Sequence, residues 1–451
     1  MTAIFAEQAL LADGWRRNVR IAVSNGALAS VQPDTTAQPG DERHAIVVPG
    51  MPNLHSHAFQ RGMAGLAETR GPGADSFWSW REVMYRFALS MTPDDVEAVA
   101  SQLYVEMLEA GFCRVGEFHY LHHDHDGSAY ANIAEMAERI AAAASATGLG
   151  LTLLPVFYAH SSFGGTAPNE GQRRFINDLN AFSKLLDKSR KTVGALDGGV
   201  VGVAPHSLRA ATPAELTDVA KLLPLAPIHI HIAEQVKEVD DCVAWSGKRP
   251  VEWLLENQQV DSRWCLIHAT HMTDAETIAM AKSGAIAGLC PITEANLGDG
   301  TFSGPLFSSH GGRYGVGSDS NVLIGVSDEL RQLEYSERIL HRARNVLVAP
   351  GQSNGRNLFN SALVGGNQAL GVAKTGLEAG APADFVSLDA NHPSLAGKSG
   401  DAILDAWIFA NGTQIDCAWV HGKKRVENGR HFAREAIAER FRNVMIKLSA
   451  G

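Results

Sequence analysis

Cysteine is scarce in this sequence, which has five among 451 residues and no pair in C-x-x-C spacing. The five are dispersed and odd in number: Cys113, Cys242, Cys265, Cys290 and Cys417. Domains that depend on disulfides usually carry dense, even sets of cysteines. The pattern therefore excludes a disulfide framework and a zinc site built from cysteines, and it favours a reducing cytoplasm.

The sequence also lacks a run rich in lysine or arginine, and its formal net charge is -10. Surfaces that bind nucleic acid are usually marked by clustered positive charge. We therefore expect no nucleic-acid partner. A local cationic pocket for a small acidic ligand is compatible with this overall charge.

Long uninterrupted apolar runs are missing as well. The most apolar window, residues 140–157, contains two glycines, a proline and several hydroxyl side chains, so it predicts a helix end, a turn and a buried strand. The opening segment, MTAIFAEQALLADGWRRNVRIAV, has acidic residues and turn signals where a signal peptide needs a basic start and an apolar core. We expect neither membrane insertion nor export.

Short apolar runs recur along the chain, and each is followed by a segment with helical character. The runs are residues 45–55, 113–120, 150–160, 199–207, 226–234, 264–271, 285–293 and 313–320. Near-continuous apolar strands are typical of parallel sheets that are covered on both faces. This alternation predicts an α/β fold, a (β/α)8 barrel of the TIM type.

Helix starts between these runs are well marked. The pairs Thr212 with Glu215 and Thr273 with Glu276 have the spacing of a capping box. Thr92 is followed by a proline, which is favoured at the first helical position.

The two ends of the chain have a different character. Residues 1–49 and 374–430 contain short strand patterns separated by turns such as SNG and PDT. We expect these ends to combine into one small β-sandwich domain beside a barrel of residues 50–373. A C-terminal helix is expected within residues 431–451.

Polar side chains stand at the carboxyl ends of several predicted strands. His55 and His57 end the first strand, and residues at i and i+2 of a strand point to the same face. The fifth strand carries His229 and His231 on one face, and Asp319 ends the eighth. Because active sites of such barrels lie at this edge, three histidines and a carboxylate could hold a zinc ion. Spacing alone leaves the choice between His229 and His231 open.

Glu234 and His268 end the fifth and sixth runs, at the same edge. Any one of these polar residues could instead be a buried structural side chain, and Asp319 could form a turn or cap a helix. Their joint placement at one edge favours a common site.

The order H-x-H, H-x-x-E, H and S-D resembles the amidohydrolase superfamily of metal-dependent deaminases and hydrolases over almost the whole chain. More specific segments resemble the formimidoylglutamate deiminase family of histidine degradation: NLHSHAFQRGMAGL, FWSWREVMYRF, EFHYLHH, HSLRA, HIHIAEQVKEVDDC and HATH. The resemblance implies one divalent metal, zinc by preference, with the ligands His55, His57, His231 and Asp319. The third and fourth strands lack the lysine that binuclear members of the superfamily carboxylate.

The resemblance further implies hydrolysis of N-formimidoyl-L-glutamate to N-formyl-L-glutamate and ammonia. Zinc lowers the pKa of a coordinated water toward 7, and Glu234 can then pass a proton to the departing nitrogen. The other expected catalytic residues are His268 and Asp319. Which of these two first deprotonates the water stays open.

A substrate with two carboxylates requires cationic donors in the pocket. Arg81 follows the first strand and Arg209 follows the fourth, and arginine can hold a carboxylate through paired hydrogen bonds. A surface salt bridge is the alternative role for each. Further polar candidates at the same rim are Gln60, Tyr120 and His206. Nearby aromatic side chains form either a lid or the core of a loop: Phe77, Trp78 and Trp80.

Two other functions remain open. A deaminase of the same superfamily could act on a purine, a pyrimidine or a related base. Such a ligand needs fewer cationic side chains that bind carboxylates. A metal-free scaffold on a decayed barrel is the alternative of another class, and the intact ligand set argues against it. Iron, nickel or manganese could replace zinc in a histidine-rich site. The resemblance also implies a homodimer.

Overall fold

The structure, a computed structural model, describes residues 2–70, 77–410, 412 and 414–449. The strands are, in chain order, β1 (Thr2–Leu11), β2 (Gly14–Ser24), β3 (Ala27–Gln32), β4 (Glu42–Pro49), β5 (Met51–Ser56), β6 (Phe112–His119), β7 (Gly150–Phe157), β8 (Val200–Val201), β9 (Ala204–Pro205), β10 (Ile228–Ile232), β11 (Trp264–His268), β12 (Ile286–Leu289), β13 (Arg313–Val316), β14 (Phe385–Leu388), β15 (Ile415–Val420), β16 (Lys423–Glu427) and β17 (Arg430–His431).

The helices are α1 (Phe77–Ser90), α2 (Pro93–Glu109), α3 (Glu135–Thr147), α4 (Leu179–Val193), α5 (Pro213–Lys221), α6 (Val236–Ser246), α7 (Pro250–Asn257), α8 (Asp274–Ser283), α9 (Pro291–Leu297), α10 (Gly304–Ser309), α11 (Val326–His341), α12 (Asn354–Ala369), α13 (Asp401–Phe409) and α14 (Arg434–Ser449). Short 3-10 helices span Ala58–Met63, Glu170–Gln172 and Pro393–Leu395. The predicted helix starts are confirmed, since Thr92, Thr212 and Thr273 cap α2, α5 and α8 through capping boxes.

Parallel strands close into a barrel in the described part of the chain. β5, β6, β7 and β8 pair in order, β9 pairs with β7, and β10 to β13 form the other arc. Parallel bridges Val203–Ile228 and Ser207–His231 join the fourth strand position to the fifth. The bridge between Ser56 and Asp319 joins the eighth strand back to the first. The predicted (β/α)8 barrel is confirmed.

The two chain ends form one sheet beside the barrel, in the strand order β17-β16-β15-β14-β4-β1-β2-β3. The antiparallel pairing of β14 with β4 connects the C-terminal part of the sheet to the N-terminal part. One apolar cluster contains buried side chains from both ends, among them Ile21, Val47, Phe385 and Trp419. The strand-rich unit built from both chain ends is therefore confirmed, whereas the limits 1–49, 50–373, 374–430 and 431–451 stay a prediction.

The apolar run at residues 45–55 is not one strand, and that prediction is wrong. It is divided between β4 in the end sheet and β5 in the barrel, with Gly50 between them. The Gly50 N–H donates to the Asp384 carbonyl at 3.0 Å, and the Met51 N–H donates to the Gly111 carbonyl at 3.1 Å. A Cβ at Gly50 would collide with Cys113 Sγ, so glycine permits this close passage from one sheet to the other.

Helix α12 packs against β13 at a distance that only glycine permits, because a Cβ at Gly365 would collide with the Tyr314 carbonyl oxygen. We predict that Gly365→Ala lowers the free energy of unfolding by roughly 1 to 3 kcal/mol, as overpacking does in a dense core. The neighbouring Val364 side chain is exposed, so Val364→Ala should stay within about 0.5 kcal/mol of the parent. Denaturant unfolding of both variants tests this, and equal effects would contradict it.

Candidate metal centre and active site

Four side chains converge at the carboxyl edge of the barrel. His55 comes from β5, His57 directly follows that strand, His231 comes from β10, and Asp319 follows β13. All four are buried, and their ligand atoms lie within 4.8 Å of one another. His231 Nε2 lies 3.0 Å from His55 Nε2, and Asp319 Oδ1 lies 3.2 Å from His57 Nε2 and 3.5 Å from His55 Nε2. The structure thus brings together the four residues predicted as metal ligands.

Backbone carbonyls orient two of these rings. His57 Nδ1 is 2.9 Å from the Phe118 carbonyl oxygen, and His231 Nδ1 is 3.2 Å from the His206 carbonyl oxygen. A carbonyl can only accept, so each Nδ1 carries a proton and each Nε2 lone pair faces the cluster. Imidazole nitrogens aimed at one another beside a carboxylate fit one divalent metal. His229 points elsewhere, since its Nε2 is 2.8 Å from the Ala369 carbonyl oxygen.

The three residues predicted for proton transfer lie close together, and one of them, Asp319, belongs to the four-residue cluster. His268 Nε2 is 3.7 Å from Glu234 Oε1 and 3.7 Å from Asp319 Oδ2. Burial raises the pKa of Glu234, and the His268 ring opposes that rise. Burial lowers the pKa of His268, but the Glu234, Glu294 and Asp319 carboxylates together raise it above its ordinary value. The arrangement can therefore hold and exchange protons between two carboxylates and an imidazole.

The backbone at this edge adopts unusual conformations. His268 has φ +67° and Asp319 has φ +47°, in the left-handed region that non-glycine residues rarely enter. Such conformations persist only where surrounding contacts hold them, and they concentrate at functional sites. Both residues therefore depend on neighbours for their placement.

Part of that support was not predicted from the sequence. Asn53 Nδ2 donates to Ser318 Oγ at 2.6 Å, and Ser318 Oγ donates to Asn321 Oδ1 at 2.6 Å. Asn321 Nδ2 in turn donates to the carbonyl oxygens of His57 at 3.0 Å and Asp319 at 2.9 Å. This buried network braces two segments that carry candidate metal ligands against each other. The signal available in the sequence was an amide inside the apolar run MPNLH.

A pocket opens onto this centre. Its lining includes every residue predicted to bind substrate, namely Gln60, Arg81, Tyr120, His206 and Arg209, as well as Glu234, His268 and Asp319. Other lining residues were not predicted: Met84, Tyr85, Tyr158, Phe175 and Leu297. Phe77 and Trp80 line it as well, and with Trp78 they lie in the first turn of α1.

The guanidinium groups and the amide in the pocket have distinct environments. Arg81 Cζ lies 4.6 Å from the Trp78 ring centre and 5.4 Å from that of Tyr85. Arg209 Nε is buried and has no hydrogen-bond partner in the described part of the chain. Gln60 Nε2 donates to the Tyr120 hydroxyl at 2.8 Å, which leaves Gln60 Oε1 without a partner among the described residues. These free hydrogen-bonding atoms can be satisfied by a polar ligand.

In the described part of the chain, no helix is both long enough and apolar enough to cross a bilayer.

Comparisons with known proteins agree over the whole chain. The amidohydrolase family model matches residues 46–425, and the model for the N-terminal domain of formimidoylglutamate deiminase HutF matches residues 1–45. Formimidoylglutamate deiminase of Pseudomonas aeruginosa is 53% identical over 452 residues, which cover 99% of this chain and 100% of that protein.

Two further proteins are similar to this chain over most or all of its length. A 5-methylthioadenosine/S-adenosylhomocysteine deaminase of Natronomonas pharaonis is 27% identical over 398 residues, covering 86% of this chain and 83% of that protein. The crystal structure of an amidohydrolase from Brucella melitensis is 63% identical, covers 100% of both chains and superposes with a TM-score of 0.98. The chain belongs to the amidohydrolase family, within its group of formimidoylglutamate deiminases.

Proposed function

We propose that this enzyme hydrolyses N-formimidoyl-L-glutamate to N-formyl-L-glutamate and ammonia. The observation that carries the proposal is a single pocket that joins a buried His3Asp donor set to two arginine side chains. A metal ion held by the donor set can activate water for attack on an amidine carbon. The two arginine side chains can bind the carboxylates of a glutamate group. The relative from Pseudomonas aeruginosa has the name of this activity.

Zinc is the metal we propose for the four ligands His55, His57, His231 and Asp319. Zinc takes nitrogen and oxygen ligands at about 2.0 to 2.2 Å, so two donor atoms that share the ion would lie roughly 3 to 4.4 Å apart. The contacts of 3.0, 3.2 and 3.5 Å between the donor atoms agree with that spacing. When bound, the ion polarises water and supplies a nucleophile at neutral pH.

The proposed reaction adds water across the C=N bond of the formimidoyl group and then expels ammonia. Asp319 and His268 are placed to accept the proton that the attacking water loses, through Asp319 Oδ2 and His268 Nε2. Glu234 lines the pocket and lies next to that imidazole nitrogen, so its carboxyl group delivers a proton to the departing nitrogen. The tetrahedral adduct then collapses to the formyl product, and the C–N bond to the leaving nitrogen breaks.

Arg81 and Arg209 are the proposed carboxylate ligands. Arg81 and Arg209 line the same pocket as Tyr158, and burial raises the pKa of Tyr158 while both arginines oppose that rise. The buried Arg209 Nε without a partner is a donor that a carboxylate oxygen would satisfy. Gln60, Tyr120 and His206 line the same pocket and are proposed as further polar contacts.

We predict that Arg81→Met and Arg209→Met each lower kcat/KM for N-formimidoyl-L-glutamate by roughly 10 to 150-fold. A desolvated charge-assisted hydrogen bond contributes on the order of 1.5 to 3 kcal/mol, and about 1.4 kcal/mol corresponds to one decade. Methionine keeps much of the apolar stem, so metal content should not change. Steady-state ammonia release and metal analysis are the measurements.

The control for this prediction is a truncated formimidoyl compound that lacks one carboxylate. It should react slowly with the parent enzyme and lose little more in the variant whose arginine bound the missing group. If both compounds slow equally in both variants, the arginines support structure and the carboxylate ligands lie elsewhere on the rim.

A deaminase of an aromatic base is the second candidate, and the 27% identity to a 5-methylthioadenosine/S-adenosylhomocysteine deaminase is the observation behind it. A purine needs aromatic surfaces for stacking, and it has no carboxylates that two arginine side chains could bind. Screening the metal-replete enzyme for ammonia release from formimidoylglutamate and from adenine nucleosides separates the two functions. Activity confined to the nucleosides would overturn the deiminase proposal.

We further propose a role in histidine degradation, a cytoplasmic location and a homodimer. All five cysteines are free and buried, which agrees with a reducing compartment. The product of the proposed reaction retains the glutamate skeleton that histidine degradation yields. Light scattering of the purified protein at several concentrations would give the oligomeric state directly.

A further inference from the structure

Carboxylates face both ring nitrogens of His268. Its Nε2 is directed at the reaction centre, 3.7 Å from both Glu234 Oε1 and Asp319 Oδ2. Its Nδ1 points the other way and lies 3.3 Å from Glu294 Oε1. All of these side chains are buried, and Glu294 is not part of the pocket lining. The ring thus connects the substrate pocket to a carboxylate that lies outside the pocket lining.

Glu294 is itself held in place by the backbone. It lies in α9, and its Oε1 accepts the Cys290 N–H at 2.9 Å as well as facing the imidazole. Its own N–H donates to the Cys290 carbonyl oxygen at 2.8 Å. A carboxylate oxygen fixed in this way is an acceptor, so the proton between the two groups belongs on His268 Nδ1. The Nε2 atom is then the one available to the reacting groups.

We propose that Glu294 is a positioning residue for the deimination reaction, which holds His268 with Nδ1–H turned away from the pocket and Nε2 turned toward the reacting atoms. The inference rests on the catalytic role proposed for His268. The left-handed backbone of His268 and of Ala269, at φ +67° and +48°, leaves the ring dependent on such side-chain contacts. A carboxylate that orients a histidine in this way sets which nitrogen can exchange protons.

The chain offers a matched control for a purely structural role. Glu329 is also buried, and its Oε2 accepts the Ile292 N–H at 3.1 Å, so both glutamates cap the first turn of α9. In the described part of the chain, Glu329 forms no hydrogen bond or ion pair with a histidine ring. If Glu294 only stabilised α9, its replacement and that of Glu329 would have similar effects.

The experiment compares Glu294→Met and Glu329→Met in the metal-loaded enzyme. We expect Glu294→Met to lower kcat by roughly 10 to 100-fold, as loss of an orienting partner does, with KM and metal content within about twofold. Glu329→Met should lower the melting temperature as much as Glu294→Met does, while its kcat stays within about threefold of the parent value. Glu294→Gln keeps an acceptor oxygen and should recover a large part of the lost kcat.

A double substitution tests whether Glu294 acts through His268. In a His268→Gln background, Glu294→Met should cause no further loss of kcat, because the ring that it orients is gone. Equal kcat in Glu294→Met and Glu329→Met, or a full additional loss in the double variant, would overturn the proposal. Absence of ammonia release by the parent enzyme would instead overturn the proposed function, so the two failures are distinguishable.

Discussion

Replacing His57 with alanine is expected to abolish metal retention and turnover together. The substitution removes one of four buried donors whose ligand atoms lie within 4.8 Å of one another. The remaining three would leave a divalent ion with an incomplete protein shell, and the nucleophile that the metal supplies would be lost with it. Metal analysis after dialysis and ammonia release from N-formimidoyl-L-glutamate are the two measurements, and both should fall to background.

A matched control is available in His229, which is fully buried but bonds the Ala369 carbonyl oxygen through Nε2. His229→Ala should retain the metal and a measurable turnover, although it leaves a cavity and lowers stability. Circular dichroism separates loss of the fold from loss of the ion in both variants. Full metal content and activity in His57→Ala would remove His57 from the ligand set.

The convergence of the four candidate metal ligands could be predicted because it depends on local rules. The i, i+2 spacing of His55 and His57 predicts that both rings point to one side where the first strand ends, and residues at the ends of parallel strands gather at the carboxyl edge of a barrel. The choice of His231 over His229 could not be made from spacing. It depends on whether a ring faces the metal donors or the Ala369 carbonyl oxygen, and α12 supplies that carbonyl from a remote part of the chain.

The supporting residues could not be predicted because their partners meet only when the barrel closes. Asn53 and Ser318 are 265 positions apart in sequence and become neighbours where the first strand meets the eighth. Glu294 reads in the sequence as an ordinary acidic residue early in a helix. Its burial against His268 depends on how α9 packs after the seventh strand, which no local pattern specifies.

The division of residues 45–55 into β4 and β5 at Gly50 also depends on partners that are distant in sequence. The segment 45–55 has the apolar character of a single strand, and nothing in its periodicity indicates that two sheets share it. The division depends on strand pairing: β4 pairs with β1 and β14, whereas β5 pairs with β6. These partner strands are distant in sequence, so the pattern within residues 45–55 does not indicate them.

Replacing Glu234 with glutamine is expected to leave the metal bound while turnover falls by roughly 100-fold or more, the usual contribution of a positioned general acid or base. Glutamine retains the size and hydrogen bonding of the side chain but cannot carry the proton to the departing nitrogen.

Glu238 provides the control, because it is buried four residues later and accepts the Glu234 N–H at 3.1 Å without lining the pocket. Glu238→Gln should keep kcat within about fivefold of the parent. Single-turnover ammonia release and metal analysis distinguish the outcomes: normal turnover in Glu234→Gln would exclude this carboxyl group as the proton carrier, and equal losses in both variants would assign the effect to packing around α6.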